Sequence, residues 1–283
     1  MLSILFGLGA ALGWGAGDST GGLASRKTGA YRTVFYSEVI GIALLLVIVQ
    51  FSGEPLPNQK VWLVAMLAGA LGTVGLMLLY HSMTLGLMSI ATPVSALLAA
   101  SLPVLVGIFK EGLPQILTIF GFGFALFAVW MISQGVDGVT NTLRVAHLSD
   151  LKLPLLAGIG FGLYFVLIHE ATSAGAVIWP MAASRFGGMI LIVTYILITR
   201  ASWKVEDLSA WPMITLNGVL DISGNLFFIL ASQTGRLDVA AVLSSLFPGT
   251  TVMLAWIFLK ERLSRNQWIG IGSALTAIIL MTI

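Results

Sequence analysis

Four charged residues stand inside long apolar stretches of this chain, and their types indicate what chemistry they could do: Asp18, Glu38, Arg185 and Asp221. Charges in such stretches are costly and usually face a protein interior or an aqueous path. An arginine binds a carboxylate through two parallel hydrogen bonds, and a carboxylate binds an ammonium group or takes up a proton. The four residues therefore predict a polar binding site inside an otherwise apolar protein.

Glu38 and Arg185 are 147 residues apart and hold the same place in two similar halves of the chain. Each lies about seven residues, or roughly 10 Å, into its predicted helix, which puts both near the centre of a core about 30 Å thick. Opposite charges at this depth favour a site for a zwitterion, with Arg185 binding a carboxylate and Glu38 an ammonium. Alternatively, the two residues form an ion pair, or are satisfied separately by backbone and hydroxyl groups, and only hold their helices together.

Asp221 is the centre of a polar stripe, because Asn217 precedes it and Asn225 follows it by four residues on the same helix face. Lipid offers such side chains no partners, so the stripe predicts a cavity wall where Asp221 could exchange protons. Hydrogen bonding between helices is the alternative. Asp18 lies among glycine and hydroxyl residues and is predicted either to contact a ligand or a proton, or to cap the end of its helix.

Aromatic and proline residues complete the candidate set. Three aromatic residues are predicted to line the walls of the site through apolar or cation-π contacts: Trp14, Tyr80 and Tyr164. Three prolines are predicted to break the fourth and ninth helices, as gating hinges or as tolerated kinks: Pro93, Pro103 and Pro248.

The composition indicates what kind of protein positions these residues. Hydrophobic residues make up 58% of the 283 residues, charged residues make up 9%, and the mean hydropathy is +0.99. A soluble domain has about 25% charged residues, whereas a membrane-spanning helix needs about 20 mostly apolar residues. Ten segments fit the second pattern and predict an all-α integral membrane protein with ten transmembrane helices: 2–24, 32–51, 61–81, 89–109, 113–133, 152–172, 178–199, 211–232, 239–259 and 266–283.

The same sequence leaves little room for other functions. The predicted connections are too short for a soluble catalytic domain, and the chain has neither a Walker-type phosphate loop nor a cysteine. Glu170 follows His169, but the H-E-x-x-H zinc pattern is absent. We therefore expect no cofactor, no metal, no nucleic-acid partner and no enzymatic activity, with an intramembrane enzyme as the alternative. Polar groups near the midplane favour a closed substrate site over the continuous pore of a channel.

The second half of the sequence repeats the first. Matching residues recur at spacings of 149 or 150: Trp62 with Trp211, Gly69 with Gly218, and Lys110-Glu111 with Lys260-Glu261. Each half holds five predicted spans, an odd number, so the second half must enter the membrane in the opposite sense. This predicts two inverted five-helix repeats at 1–134 and 152–283, joined by a linker at 135–151.

Lysine and arginine are distributed unevenly between the two sides of the predicted bundle. The connections after segments 1, 5, 7 and 9 hold ten of them, and those after segments 2, 4 and 8 hold three. Because cytoplasmic loops carry the excess of positive charge, both termini are predicted to lie outside the cytoplasm, in a multi-pass protein of the inner membrane.

Several motifs follow the pattern of a known family: Leu12-Gly13-Trp14-Gly15 with Asp18, Phe247-Pro248, Leu259-Lys260-Glu261-Arg262-Leu263 and Trp268-Ile269-Gly270. With the duplicated ten-span layout, they resemble EamA-type members of the drug/metabolite transporter superfamily over essentially the whole chain. Pro93 and Pro103 depart from it, because they bracket the place where the second repeat has one proline. The resemblance implies alternating access without ATP, peripheral fifth and tenth helices, and cargo drawn from amino acids, other small metabolites or drugs.

We therefore expect a secondary transporter for a small polar metabolite, an amino acid or similar zwitterion, that works by rocking of the two repeats about a midplane site. Its expected partners are the lipid bilayer and the small-molecule substrate, and its expected state is a monomer. Export is the expected direction, and proton coupling through Asp221, Glu38 or Asp18 is a further hypothesis that rests on their depth. A facilitator for a sugar, nucleoside or organic cation is the alternative.

Overall fold

The computed structural model describes residues 1–85, 88–133, 151–259 and 263–282. Eleven α-helices follow one another in this part of the chain: α1 (Leu2–Thr28), α2 (Ala30–Ser52), α3 (Gln59–Thr84), α4 (Met88–Glu111), α5 (Ile116–Ile132), α6 (Lys152–Thr172), α7 (Ile178–Thr199), α8 (Trp211–Thr234), α9 (Leu237–Ser244), α10 (Phe247–Leu259) and α11 (Arg265–Thr282). Each predicted segment corresponds to one helix, except the ninth, which corresponds to two. The predicted linker, apart from Leu151, and the motif Lys260-Glu261-Arg262 lie outside the described residues.

Among the described residues, seven helical stretches are long and apolar enough to cross a membrane: Ala30–Ser52, Gln59–Thr84, Ala91–Glu111, Lys152–Thr172, Ile178–Thr199, Leu208–Thr234 and Leu237–Leu254. α5 is a shorter apolar helix of 17 residues. The chain is therefore a multi-pass, all-helical membrane protein. Spanning by α1, α5 and α11, which would bring the number to ten, stays a prediction.

Proline affects the fourth and ninth predicted helices differently. α4 runs without interruption through Pro93 and Pro103, so it does not break there, and their role as gating hinges or as tolerated kinks stays a prediction. A proline removes one backbone hydrogen bond, and in an apolar helix the freed carbonyl can be satisfied by neighbouring groups. The ninth helix does break, at Ser245 and Leu246. Pro248 follows in the first turn of α10, where its missing N–H costs nothing.

Contacts between loops define two opposite faces of the bundle. On the first, Lys27 at the end of α1 donates to Ser209 Oγ at 2.8 Å, and Arg32 Nε at the start of α2 donates to the Ser202 carbonyl at 3.0 Å. We name it the Lys27 face. On the second, Glu54 lies between α2 and α3, and Lys110 at the end of α4 pairs with Glu170 at the end of α6 at 2.6 Å. We name it the Glu54 face.

The helices of the two repeats interdigitate. α1 packs mainly along α8, and α6 packs mainly along α3, so each of these helices has its main partner in the other repeat. The same holds for α5, which packs along α11. The expected rocking of two separate repeats does not fit this packing, because every helix contacts the other repeat more extensively than its own.

The packing instead groups the central helices into two mixed bundles. The first bundle contains α1, α2, α8, α9 and α10, and the second contains α3, α4, α6 and α7. Each bundle holds the counterparts of the helices in the other, since α1 corresponds to α6, α2 to α7, and α3 to α8. α5 and α11 form a separate pair beside them.

Close glycine contacts repeat across the two halves. A Cβ atom at Gly13 would lie 2.8 Å from the backbone nitrogen of Gly224, and one at Gly160 would lie 3.2 Å from the backbone nitrogen of Gly75. Gly13 and Gly160 are 147 residues apart, and Gly75 and Gly224 are 149 apart. Small residues let helix backbones approach closely, and here they do so at positions that the sequence repeat relates.

Candidate functional site

A cavity lies between the two mixed bundles. Its volume is about 70 Å³, which is room for several water molecules at roughly 10–15 Å³ each. The first bundle contributes six lining residues: Trp14, Asp18, Glu38, Asp221, Asn225 and Phe247. The second bundle contributes the rest: Gly69, Gly72, Thr73, Leu76, Ala99, Phe161, Tyr164, Phe165, Ser184 and Arg185. No residue of α5 or α11 is among them.

Arg185 is the centre of the polar contacts in this cavity. It comes from α7, and its Nη1 lies 3.1 Å from Glu38 Oε2 on α2, while its Nη2 donates to Asp221 Oδ2 on α8. Both carboxylates belong to the other bundle. The guanidinium therefore holds the two bundles together across the cavity, and all three side chains are largely buried.

The two carboxylate oxygens of Glu38 have different partners. Thr73 on α3 donates its hydroxyl proton to Glu38 Oε1 at 3.0 Å. Glu38 Oε2 faces Arg185 at ion-pair distance, but the geometry is not that of a hydrogen bond, and this buried oxygen has no hydrogen-bond partner. A carboxylate oxygen can accept more than one hydrogen bond, so Oε2 can accept from a donor that enters the cavity.

Asp221 is part of a second chain of contacts across the cavity. Asn225 Nδ2 donates to Asp221 Oδ2 at 3.3 Å, and Asn225 Oδ1 accepts a hydrogen bond from the Tyr164 hydroxyl at 3.0 Å. The four-residue spacing that the sequence shows is what brings Asn225 beside Asp221. Tyr164 comes from the second bundle, so this chain also joins the two bundles.

Asp18 belongs to a third group of contacts, nearer the Lys27 face. The Asp18 carboxylate lies beside the Tyr80 side chain. Asn217 Nδ2 donates to the Tyr80 oxygen and to the Gly17 carbonyl, both at 2.8 Å, and Ser37 donates to Asn217 Oδ1 at 2.6 Å. Asn217 and Tyr80 are each 1% exposed and lie behind the cavity wall.

An aromatic stack lies nearer the Glu54 face. The rings of Trp14 and Phe165 are stacked with centroids 5.2 Å apart, and Phe165 and Phe228 are stacked at 4.4 Å. Trp14 and Phe228 come from the first bundle and Phe165 from the second. Such pairs add roughly 0.5–1.5 kcal/mol beyond the area that they bury, so apolar stacking joins the two bundles at this end of the cavity.

The charges of the cavity are unequal. Three carboxylates line it, those of Asp18, Glu38 and Asp221, against the single guanidinium of Arg185. Arg185 engages two of them, which is the ion-pair arrangement that the sequence analysis left open as its alternative. In this conformation Nη1 and Nη2 of Arg185 each face one of these carboxylates. Among the described residues, no group of three or more His, Asp or Glu side chains is placed to hold a metal ion.

The structure brings most of the predicted binding residues together. The predicted residues that line the cavity are Trp14, Asp18, Glu38, Tyr164, Arg185, Asp221 and Asn225. Tyr80 and Asn217 do not line it; they contact Asp18 and Gly17 from behind. Pro93 and Pro103 lie outside the lining, and Pro248 adjoins the lining residue Phe247.

Sequence reasoning missed Thr73, which orients Glu38. A signal was present, since Gly69, Gly72 and Thr73 are spaced by three and four residues and so share one helix face. It also missed the lining residues Phe161 and Ser184.

The model of the EamA-like transporter family matches residues 1–134 and again residues 150–283. The chain belongs to this family. An EamA-like transporter is a membrane protein that moves a small molecule, and the described cavity between two helix bundles fits that activity. The match also occurs twice along the chain, once for each half.

Other proteins are similar to this EamA-like transporter over parts of its length. An uncharacterized protein of Methanocaldococcus jannaschii is 32% identical over 94 residues, which are 33% of this chain and 69% of that protein. An uncharacterized transporter of Synechocystis sp. is 26% identical over 133 residues, which are 42% of this chain and 40% of that transporter. A protein with a solved crystal structure shares the fold with a TM-score of 0.76 at 18% identity, over 99% of this chain and 96% of the other.

Proposed function

We propose that this EamA-like protein is a secondary transporter that carries a small, amino-group-bearing metabolite through the cavity by alternating access. The observation that carries the proposal is the set of three carboxyl groups around one guanidinium, with Glu38 Oε2 buried and contacted by Arg185 alone. A positively charged group entering the cavity would donate a hydrogen bond to that oxygen and pair with the carboxylates. Buried charges in membrane proteins commonly mark substrate pathways.

A zwitterion such as an amino acid is the cargo that pairs with charges of both signs in the cavity. Its ammonium would bind Glu38, and its carboxylate would take the place of Asp221 or Glu38 beside Arg185. Arg185 would then exchange one carboxylate partner for another. A second candidate is an organic cation, because Arg185 is already engaged by two carboxylates. The two candidates differ in whether Arg185 is needed for binding.

The moving parts in this proposal are the two mixed bundles. Every polar contact described above for Arg185 and Tyr164 joins one bundle to the other, so the cavity opens to a face when the bundles separate there. The proposal includes inversion of the two repeats, and it is supported by helix direction: α1 ends at the Lys27 face, whereas α6 ends at the Glu54 face. The reciprocal glycine contacts support it as well.

Thermal shifts of the detergent-purified protein test the cargo class. Amino acids, polyamines, sugars and nucleosides would be added to wild type, to Arg185→Gln and to the exposed control Arg265→Gln. Ligand at about a hundred times its dissociation constant stabilises the native state by roughly 2.7 kcal/mol. Stabilisation by amino acids in wild type and the control, but not in Arg185→Gln, is the expected result. Stabilisation of Arg185→Gln by polyamines favours the cation candidate, and stabilisation only by sugars or nucleosides contradicts both.

The remaining features of the proposal concern direction, coupling and location. We propose export from the cytoplasm across the inner membrane by a monomer, with both termini outside and the Lys27 face in the cytoplasm, which the excess of Lys and Arg on that side supports. We also propose proton coupling through a cavity carboxylate. Flux by reconstituted Asp221→Asn that keeps its full pH dependence would exclude Asp221 from that role.

A further inference from the structure

Two helices of the second bundle, α4 and α6, end at the Glu54 face, and both accept hydrogen bonds from the first bundle there. Arg236, just before α9, donates from Nη2 to the carbonyl of Gly112, just after α4, at 2.7 Å. Gln233, near the end of α8, donates from Nε2 to the carbonyl of Thr172, the last residue of α6, at 2.8 Å. The last carbonyls of a helix have no partner within it, so these contacts tie the ends of α4 and α6 to the other bundle.

The contact between α4 and α9 is reciprocal. Glu111 is the last residue of α4, and its Oε2 lies 3.8 Å from Arg236 Nε. Its Oε1 accepts a hydrogen bond from the backbone N–H of Leu237, the first residue of α9, at 3.3 Å. A cation at the end of one helix and a carboxylate at the start of the next are both favourable, and here each comes from the other bundle.

Asp238 fixes the orientation of Arg236. Its side chain is fully buried, and its Oδ2 accepts a hydrogen bond from Arg236 Nη2 at 2.8 Å. Its Oδ1 accepts another from the Val239 backbone N–H at 2.8 Å. α4 packs directly on this residue, because a Cβ atom at Gly107 would lie 3.0 Å from Asp238 Cβ. Arg236 is therefore held where it reaches the end of α4.

The equivalent positions of the first repeat carry different chemistry. At the spacing of 149 that relates Gly75 to Gly224, the counterparts of Gln233, Arg236 and Asp238 are Thr84, Leu87 and Ser89. Leucine and serine carry no charge, and the Thr84 hydroxyl donates to the His81 carbonyl of its own helix at 2.7 Å. This charged contact between α4 and α9 thus has no charged counterpart where α3 leads into α4.

We propose that Glu111, Gln233, Arg236 and Asp238 form a latch that holds the two bundles together at the Glu54 face, so that the empty protein rests closed there and opens first to the Lys27 face. Arg236 is the central positioning residue, because it contacts both the end of α4 and the buried Asp238. The inference rests on the proposed function for one point, the separation of the mixed bundles. It does not depend on the cargo.

The latch is tested by labelling a thiol in the cavity from each face. The chain has no cysteine, so Ala99→Cys, at a fully buried lining position, reports without background. A membrane-impermeant thiol reagent would be applied to sealed vesicles of either orientation, without any cargo. Adding Arg236→Gln to the reporter is expected to raise the labelling rate from the Glu54 face by roughly tenfold, since hydrogen bonds of a charged group are lost. The rate from the Lys27 face should stay unchanged or fall.

Lys110→Gln is the matched control for Arg236→Gln. Lys110 precedes Glu111 on α4 and is exposed at the same face, but its ion pair with Glu170 lies within the second bundle. It is expected to label like the reporter alone from both faces. Equal rates for Arg236→Gln and Lys110→Gln from the Glu54 face, or equal increases from both faces, would overturn the latch. A lower melting temperature of Arg236→Gln without a change in sidedness would also overturn it, because the contacts then only stabilise the fold.

Gln233→Met tests the latch without leaving a buried charge unpaired, and so remains informative if Arg236→Gln does not fold. It removes the hydrogen bond to the Thr172 carbonyl and keeps the length of the side chain. A smaller rise in labelling from the Glu54 face is expected, and none in Thr84→Val, the change at the equivalent position of the first repeat. Absence of any rise in Gln233→Met contradicts its part in the latch. Since no amine is present, failure of the latch and failure of the proposed cargo class are distinguishable.

Discussion

Glu38 and Arg185, which hold equivalent places in the two repeats, form an ion pair with 3.1 Å between Oε2 and Nη1. The pair also joins the two mixed bundles, because Glu38 stands on α2 and Arg185 on α7. Asp221 shares the same guanidinium. One guanidinium thus pairs with two carboxylates, so the loss of stability depends on which of the three residues is replaced.

We expect Arg185→Gln to lower the free energy of unfolding by about 3 kcal/mol, because it leaves two buried carboxylates without a cation. Glu38→Gln costs less, since Arg185 keeps Asp221. The double variant is expected to lose less than the sum of the two, as residues of one network do. Denaturant titration in detergent measures all three. Lys110→Gln, which breaks an exposed pair, is the control at roughly 0.2–1 kcal/mol; additive losses for the buried pair would contradict the coupling.

Gly13→Ala is expected to destabilise the protein by roughly 1–3 kcal/mol, because its new methyl group would lie 2.8 Å from the backbone nitrogen of Gly224. Gly123→Ala on α5 is the matched control, since nothing lies within 4 Å of a Cβ atom there. Alanine favours a helix over glycine by up to about 1 kcal/mol, so the control should keep or raise the apparent melting temperature. An equal loss of stability in both variants would mean that close packing at Gly13 does not stabilise the protein.

Glu54 ties the loop after α2 to the start of α7. Its carboxylate accepts hydrogen bonds from the backbone N–H groups of Val177, Ile178 and Trp179 at 2.9–3.2 Å. A negative charge at a helix N-terminus is favourable, so Glu54→Gln is expected to cost roughly 1 kcal/mol. Glu206→Gln, in the exposed loop before α8, should cost nothing measurable. Identical melting temperatures for the two variants would refute a stabilising role for Glu54.

Thr73→Val is expected to weaken binding of an amine-bearing cargo by roughly tenfold, because Glu38 loses the hydroxyl that orients it at 3.0 Å. Thr194→Val is the matched control, since the Thr194 hydroxyl is exposed and donates to the Ile190 carbonyl of its own helix. Isothermal titration with the amino acid or amine that stabilises wild type measures the change. Unchanged affinity in Thr73→Val would mean that Glu38 needs no positioning.

Cross-linking distinguishes moving bundles from moving repeats. Lys110→Cys with Glu170→Cys joins α4 to α6, which belong to different repeats but to the same bundle. Glu111→Cys with Arg236→Cys joins α4 to the start of α9, across both repeats and bundles; in the wild-type protein these side chains lie 3.8 Å apart. After treatment with a short bifunctional thiol reagent, flux is expected to persist in the first variant and to stop in the second. Loss of flux in the first would favour moving repeats.

The helices were predictable from the sequence because a long apolar segment indicates a membrane-spanning helix. The predicted segments 152–172 and 178–199 coincide with α6 and α7. The polar stripe around Asp221 was predictable because helical period alone puts Asn225 beside it. The partners of Arg185 were not, since pairing depends on how α2, α7 and α8 cross in space. The uninterrupted course of α4 through Pro93 and Pro103 was missed for a related reason: a proline's effect depends on the surroundings of the helix.

The interdigitated packing has a consequence for biosynthesis. α1 leaves the ribosome long before α8, its main packing partner, and α3 leaves long before α6. The first five helices must therefore wait in the bilayer with their glycine-rich contact surfaces facing lipid until the second five arrive. A gene divided near residue 140 would yield two inserted but incomplete fragments, each of which depends on co-expression of the other to escape degradation.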